Sequence, residues 1–222
     1  MTEIILIRHA TNDYVSTGRL AGWTAGIHLN TDGQAQAQAL AERLANTTLA
    51  AIYSSPLERT METASAVAAR HPALIIQLLE GVGEVDFGAW QGQKLNKLRR
   101  EALWQSVQVY PSRTQFPNGE TFRQAQLRAV DALEMLVQRH PNQRVAVVSH
   151  SDVIKLILAY YLGAHIDFFQ RIDISPASMS IIRLGSDRPY IVRVNDTSYL
   201  PVIQRANSSP SLWQRIVAFF NR

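Results

Sequence analysis

Glu3-Ile4-Ile5-Leu6-Ile7-Arg8-His9-Ala10-Thr11 sets an arginine and a histidine side by side at the carboxyl end of an apolar, β-branched run. The run from Glu3 to Ile7 has the length and composition of a buried strand. In an open α/β sheet, ligands gather at the carboxyl ends of the strands. A neutral imidazole can act as a nucleophile, and a neighbouring guanidinium can hold a dianionic phosphoryl group through paired N–H bonds. Phosphoryl transfer to His9 is the first expectation; the plainer one is a solvated strand end.

The same pattern recurs far along the chain. Arg144 to Ser149 is an apolar strand ending in Ser149-His150-Ser151-Asp152, with a helix expected from about Val153 to Leu162. His150 could give a hydrogen bond or positive charge to a phosphoryl oxygen, joined by the backbone N–H of Ser151. Between the two lie further short strands, Leu49 to Tyr53 and Leu74 to Leu79, separated by helical stretches. Thr31-Asp32-Gly33 opens a helix to about Asn46, with Thr31 or Asp32 as candidate cap. Ser54-Ser55-Pro56 leads into a helix from Leu57 to about Arg70, which puts Arg59 on the first turn after a strand's carboxyl end. There a helix N-terminus and a guanidinium together favour an anion, although Arg59 could equally pair with Glu58 or Glu62.

Strands alternating with helices predict an α/β fold. Ser178 to Leu184 and Tyr190 to Val194 read as a terminal hairpin or two neighbouring strands. The segment Asn12 to Asn30 reads as a loop that begins at the candidate nucleophile. A long amphipathic helix is expected from Glu120 or Thr121 to about His140. Residues 1–200 are expected to form one catalytic domain, and 201–222 a tail with a short amphipathic helix in which Leu212, Trp213, Ile216, Val217 and Phe220 share a face. That helix would dock on its own domain or on a second copy in a homodimer, or touch a membrane surface weakly.

Glu80-Gly81-Val82-Gly83-Glu84-Val85-Asp86-Phe87-Gly88-Ala89-Trp90-Gln91-Gly92 combines three acids with aromatic residues. A carboxyl held among Val85, Phe87 and Trp90 would have a raised pKa and could protonate a leaving oxygen. Spacing alone leaves Glu80, Glu84 and Asp86 open. Lys94 to about Val109 reads as one basic helix, in which Lys94, Lys97, Arg99 and Arg100 are either a solvated face or a site for a substrate's second anionic group.

The bulk figures narrow the classes. The 222 residues carry a net charge of +4, with 46% apolar and 18% charged residues. The basic residues are dispersed, so anionic small molecules are expected and nucleic acid is not. No cysteine is present, which excludes disulfides, thiol catalysis and thiolate metal sites and suits a cytoplasmic setting. No leader segment and no membrane insertion are expected.

Taken together, the Leu-Ile-Arg-His opening, Ser54-Ser55-Pro56-Leu57 with Arg59 and Thr63-Ala64, Glu84 before Phe87-Gly88 and Trp90-Gln91-Gly92, Pro117-Asn118-Gly119-Glu120, and Val148-Ser149-His150 resemble the histidine phosphatase superfamily, the phosphoglycerate mutase-like enzymes. The resemblance spans Glu3 to about Val194 and comes nearest to its probable phosphomutase and phosphatase group. It implies a phosphoglycerate mutase-like fold, a three-layer α/β/α sandwich around a largely parallel central sheet, with no metal and no cofactor, and His9 as the residue that becomes phosphohistidine. Arg8, Arg59 and His150 would hold the phosphoryl oxygens, and Glu84, now distinguished from its neighbours, would be the acid. Ala10 stands where the family most often has glycine, and Val15 where many members have asparagine. Asn12 or Thr11 would replace that last contact, and Gly22 or Trp23 matches a loop that touches substrate in mutases. The relatively short insert after Glu84 favours hydrolysis of a small-molecule phosphomonoester over phosphoglycerate mutation. A non-catalytic module binding a phosphorylated ligand is the remaining alternative.

Overall fold

The structure, a computed structural model, describes residues 1–200; the expected tail helix lies outside the described residues. In chain order the regular elements are β1 (Thr2–Arg8), α1 (Asp13–Ser16), α2 (Thr31–Leu44), β2 (Ala51–Ser54), α3 (Glu58–Ala68), β3 (Ile76–Leu78), α4 (Leu95–Leu98), α5 (Ala102–Val109), α6 (Phe122–Arg139), β4 (Arg144–Ser149), α7 (Ser151–Tyr161), β5 (Met179–Leu184) and β6 (Tyr190–Asp196), joined by short 3-10 turns. The strands form one sheet in the order β3-β2-β4-β1-β5-β6. β3, β2, β4 and β1 pair in parallel, and β5 and β6 close one edge as an antiparallel hairpin.

β1 shows why the layers form. Its residues point alternately to opposite faces. Ile4 and Leu6 pack with Val145 and Val147 of β4 under α6 and α7. Ile5 and Ile7 pack with Ala146 and Val148 under Leu40 and Leu44 of α2 and Ala64 and Val67 of α3. A strand stretch covered on both faces must be apolar, and Ile4 to Ile7 is. The helix that follows β1 therefore lies on one face and the helix that follows β4 on the other. These two strands are neighbours, so the chain has its topological switch point between them, where a crevice opens at their carboxyl ends.

Two helices depart from the sequence reading. α2 is capped not by Thr31 or Asp32 but by Asn30, whose extended backbone lets its side chain accept from the Gly33 N–H. Gly33 is needed for another reason: a Cβ there would overlap the Thr11 carbonyl, so α2 can approach the strand after His9 only with glycine at this point. The basic stretch after Lys94 is two helices, with an extended Glu101 between them. Leu98 and Val107 both enter the core. Nine residues apart on one straight helix, they would face roughly opposite ways. The break lets both be buried.

Candidate active site

His9 and His150 end the neighbouring strands β1 and β4, and their rings meet edge to face with centroids 5.3 Å apart. His9 is 4% exposed. Its Nδ1 lies 2.8 Å from the Ala10 carbonyl oxygen, an acceptor, so Nδ1 carries the proton and Nε2 keeps the lone pair. The segment after His9 is pinned from two helices. Ala10 N–H donates to Thr63 Oγ1 of α3 (3.1 Å), and Thr11 N–H donates to Gln36 Oε1 of α2 (2.9 Å).

Around this ring stand the two arginines. Arg8 donates from Nη1 to the Ile174 carbonyl at 2.6 Å. Arg59, fully buried on the first turn of α3, donates from Nη2 to the Gly22 carbonyl at 2.8 Å. Among the described residues, Arg8 Nε and Arg59 Nε and Nη1 are buried with no hydrogen-bond partner. Buried guanidinium donors are costly to leave unpaired, and both guanidiniums are close enough to His9 to push its pKa down. A phosphoryl dianion would satisfy them.

Ser55 Oγ is 2.8 Å from His150 Nε2, and Arg59 Nη2 is 3.2 Å from its Nδ1. With a guanidinium donor facing Nδ1, the neutral ring carries its proton on Nε2 toward Ser55. Burial, then Arg59, pushes both His9 and His150 well below the ordinary imidazole range; Arg8 acts on each in the same sense. Both rings are therefore neutral at neutral pH.

Glu84 approaches from the other side, with Oε2 3.7 Å from His150 Nδ1. Burial, then the nearby Asp152, raises its pKa to about 7 against the pull of Arg59 and Arg8. Its neighbours take other roles. Glu80 is exposed, and Asp86 accepts from the Gly88 N–H at 2.9 Å and stabilises a turn.

The acid-bearing loop is clamped by Arg128 of α6, a residue with no signature in the sequence. It donates to the carbonyls of Gly81, Gly83 and Glu84 and to both Glu120 oxygens, at 2.5–3.0 Å. Trp23 Nε1 also donates to the Glu84 carbonyl, at 2.6 Å. Replacing Arg128 with methionine should lower the unfolding free energy by about 2–4 kcal/mol, because it leaves Glu120 poorly solvated and unpaired. Urea unfolding measures this, and a loss within 0.5 kcal/mol, the spread of an ordinary surface change, would show that the clamp carries little.

The other expected residues are placed as follows. Ser151 opens α7 and lines the cleft with Arg8, His9 and Glu84. Asn12 is fully buried and does not line it: its Oδ1 caps α1 by accepting from the Val15 N–H. Gly22, in the left-handed region at φ 54°, presents its carbonyl to Arg59. Lys94, Lys97, Arg99 and Arg100 are exposed and stay out of the cleft; Lys94 and Arg99 border a separate groove with Arg19. Ser55 and Thr63 stood inside a quoted motif without a role, and only the fold brings them to His150 and Ala10. Among the described residues no cluster of three or more histidine, aspartate or glutamate side chains is placed to hold a metal ion, and no helix is long and apolar enough to cross a membrane.

A family model described as the histidine phosphatase superfamily, branch 1, matches residues 4–197. Phosphoserine phosphatase 1 of Hydrogenobacter thermophilus is 32% identical over 203 residues, covering 90% of this chain and 95% of its own. The metal-independent phosphoserine phosphatase of Arabidopsis thaliana is 29% identical over 204 residues, covering 90% of this chain and 84% of its own. Among solved structures, Bacillus stearothermophilus YhfR superposes with a TM-score of 0.85 at 27% identity, covering 90% of this chain and 100% of that one.

Proposed function

The chain belongs to the histidine phosphatase superfamily and is a phosphoric monoester hydrolase of that type, and we propose that it works without a metal, through a phosphohistidine on His9. The observation that carries this reading is the set of unpartnered buried donors on Arg8 and Arg59 beside an imidazole whose Nε2 lone pair is free.

A phosphomonoester dianion seats its oxygens on Arg8 and Arg59 and on the N–H groups at the start of α7. These cations supply the charge stabilisation that Mg²⁺ gives in other phosphoryl transfers. His9 Nε2 attacks phosphorus, the P–O bond to the alcohol breaks, and Glu84 gives its proton to the departing oxygen. The ionised Glu84 then takes a proton from water, whose oxygen attacks the phosphohistidine; orthophosphate leaves and His9 is restored. His150 changes partners along the way. A dianion beside its ring offsets the surrounding positive charge, so that a second proton, taken up from solvent as the substrate binds, is held on Nδ1 and donated in a hydrogen bond to a phosphoryl oxygen while Nε2–H stays on Ser55.

A mutase needs cationic residues for a second anionic group inside a closed site. Lys94, Lys97, Arg99 and Arg100 lie outside the cleft, which favours hydrolysis. A cytosolic setting accompanies the reading and suits a chain without cysteine. The test is phosphate release from a panel of monoesters in EDTA, with acid-labile phosphoenzyme trapped in the same samples. Turnover that EDTA leaves unchanged supports the proposal. Isomerisation of 3-phosphoglycerate, primed with its bisphosphate, at a rate above its hydrolysis would replace it with phosphomutase activity. Phosphate binding without turnover on any ester, and without isomerisation, would leave a binding module.

A further inference from the structure

The cleft beside His9 and Glu84 has a volume of about 310 Å³, and most of its wall serves no step of the chemistry. Away from the phosphate-holding groups it is built by Phe87, Trp90, Leu95, Trp104, Val107 and Phe116. Four of these form a continuous aromatic cluster: Phe87 meets Phe116 at 5.0 Å, Phe116 meets Trp90 at 5.5 Å, and Trp90 stacks on Trp104 at 6.2 Å between centroids; Phe87, Trp90 and Phe116 are buried in the core and Trp104 is half-buried. They come from the acid loop, α5 and the loop before α6. Leu95 and Trp104 remain partly open toward the cleft.

The ionic groups at the mouth are already engaged. Arg19 donates to the Gly92 carbonyl at 3.1 Å and lies over the Tyr14 ring, 5.9 Å from its centroid. Asp152 is 3.4 Å from Lys155 Nζ. A small alcohol bearing a carboxylate and an ammonium would have to compete with these existing contacts for Arg19 and Asp152, and regains less of its lost hydration for doing so. An apolar alcohol would displace water from the same wall at a gain.

Resting on the hydrolase reading above, we propose that the substrates of this chain are monoesters of apolar alcohols, whose aryl or alkyl body lies against Leu95 and Trp104, backed by the buried Phe87, Trp90 and Phe116, while the phosphoryl group sits on Arg8 and Arg59. The relatives named phosphoserine phosphatase share the phosphoryl end of this arrangement. Selectivity in this chain lies in the aromatic wall.

Straight-chain alkyl compounds test this without confounding the chemistry, since lengthening the chain beyond propyl hardly changes the basicity of the leaving oxygen. Methyl-, propyl-, pentyl- and heptylphosphonate, which cannot be hydrolysed at phosphorus, are titrated calorimetrically into the protein beside orthophosphate. Kd should fall about threefold per added methylene until the cleft is filled, with an increasingly negative heat-capacity change. In parallel, kcat/KM for the corresponding phosphates should climb with chain length, and phosphoserine and 3-phosphoglycerate should fall at least tenfold below pentyl phosphate. In Trp104→Ala the heptyl-to-propyl ratio should drop at least tenfold in both assays. A Kd independent of chain length, or phosphoserine turned over faster than pentyl phosphate, would overturn the assignment while leaving the hydrolase reading intact. Phosphonates that bind in order of length, with no ester hydrolysed, would overturn the hydrolase reading and keep the apolar cleft.

Discussion

His9→Ala should lower kcat by about 10⁴-fold or more and abolish the trapped phosphoenzyme, while orthophosphate still binds. Removing a nucleophile costs rates of this order when the remaining groups cannot replace it, and here the neighbouring imidazole is occupied at both nitrogens, by Ser55 and by Arg59. Binding survives because the guanidinium donors do not hang on the His9 ring, whose hydrogen bond goes to Ala10. The measurement is rapid quench with radiolabelled substrate into alkali, which preserves phosphohistidine, with equilibrium phosphate binding alongside. A phosphoenzyme of undiminished yield in the variant would move the nucleophile elsewhere.

Glu84→Gln should divide substrates by their leaving groups. Alkyl phosphates, whose oxygen must be protonated as it departs, should lose about 10²–10⁴-fold, the usual contribution of general acid catalysis. An aryl phosphate, whose phenolate leaves unaided, should lose under tenfold in the phosphorylation step. The pH profile follows from the same carboxyl. His9 is held well below the ordinary imidazole value, so it is already neutral at pH 6.5 and above, whereas Glu84 keeps its proton only up to about pH 7. With alkyl esters, the wild type should be fastest on the acid side of pH 7 and lose rate about tenfold per unit well above it; the glutamine variant should lack this fall. The same shift enters stability. A carboxyl that titrates near 7 when folded and near its ordinary 4.5 when unfolded stabilises the fold below pH 4.5 and loses that contribution as pH rises to 7. The variant should therefore gain in melting temperature relative to wild type as pH passes through this range. Equal rate losses for alkyl and aryl esters would remove Glu84 from the acid's role.

The parts of this fold that could be read in advance are those where one physical demand acts on consecutive residues. The centres of β1 and β4, Ile4 to Ile7 and Val145 to Val148, are covered on both faces and so are apolar. The start of α6 was legible because Thr121 and Gln124 cap it reciprocally through local hydrogen bonds. Where the demand comes from distant contacts, sequence reading stops. Nothing local to residues 94–109 requires a break; Leu98 and Val107 impose it by sharing a core. Arg128 looks like any charge on an amphipathic helix until Gly81, Gly83 and Glu84 are brought beneath it, 44 to 47 residues away along the chain. The candidate site divides the same way. Arg8, His9 and His150 follow from strand ends, but the Ser55 contact to His150 spans 95 residues and had no local trace.

The sheet order has a kinetic consequence. β4, made from residues 144–149, lies between β1 and β2, so His9 and the helix bearing Arg59 flank a slot that stays open until that late segment inserts. Such non-local pairing is slow because the intervening chain must be ordered before its contacts repay the loss of entropy. A chain emerging from the ribosome therefore cannot gather His9, Arg59 and His150 before β4 is released. Phosphate, whose seat on Arg8, Arg59 and the start of α7 is assembled only when β4 is in place, recognises the finished sheet alone and should pull refolding molecules toward it by mass action.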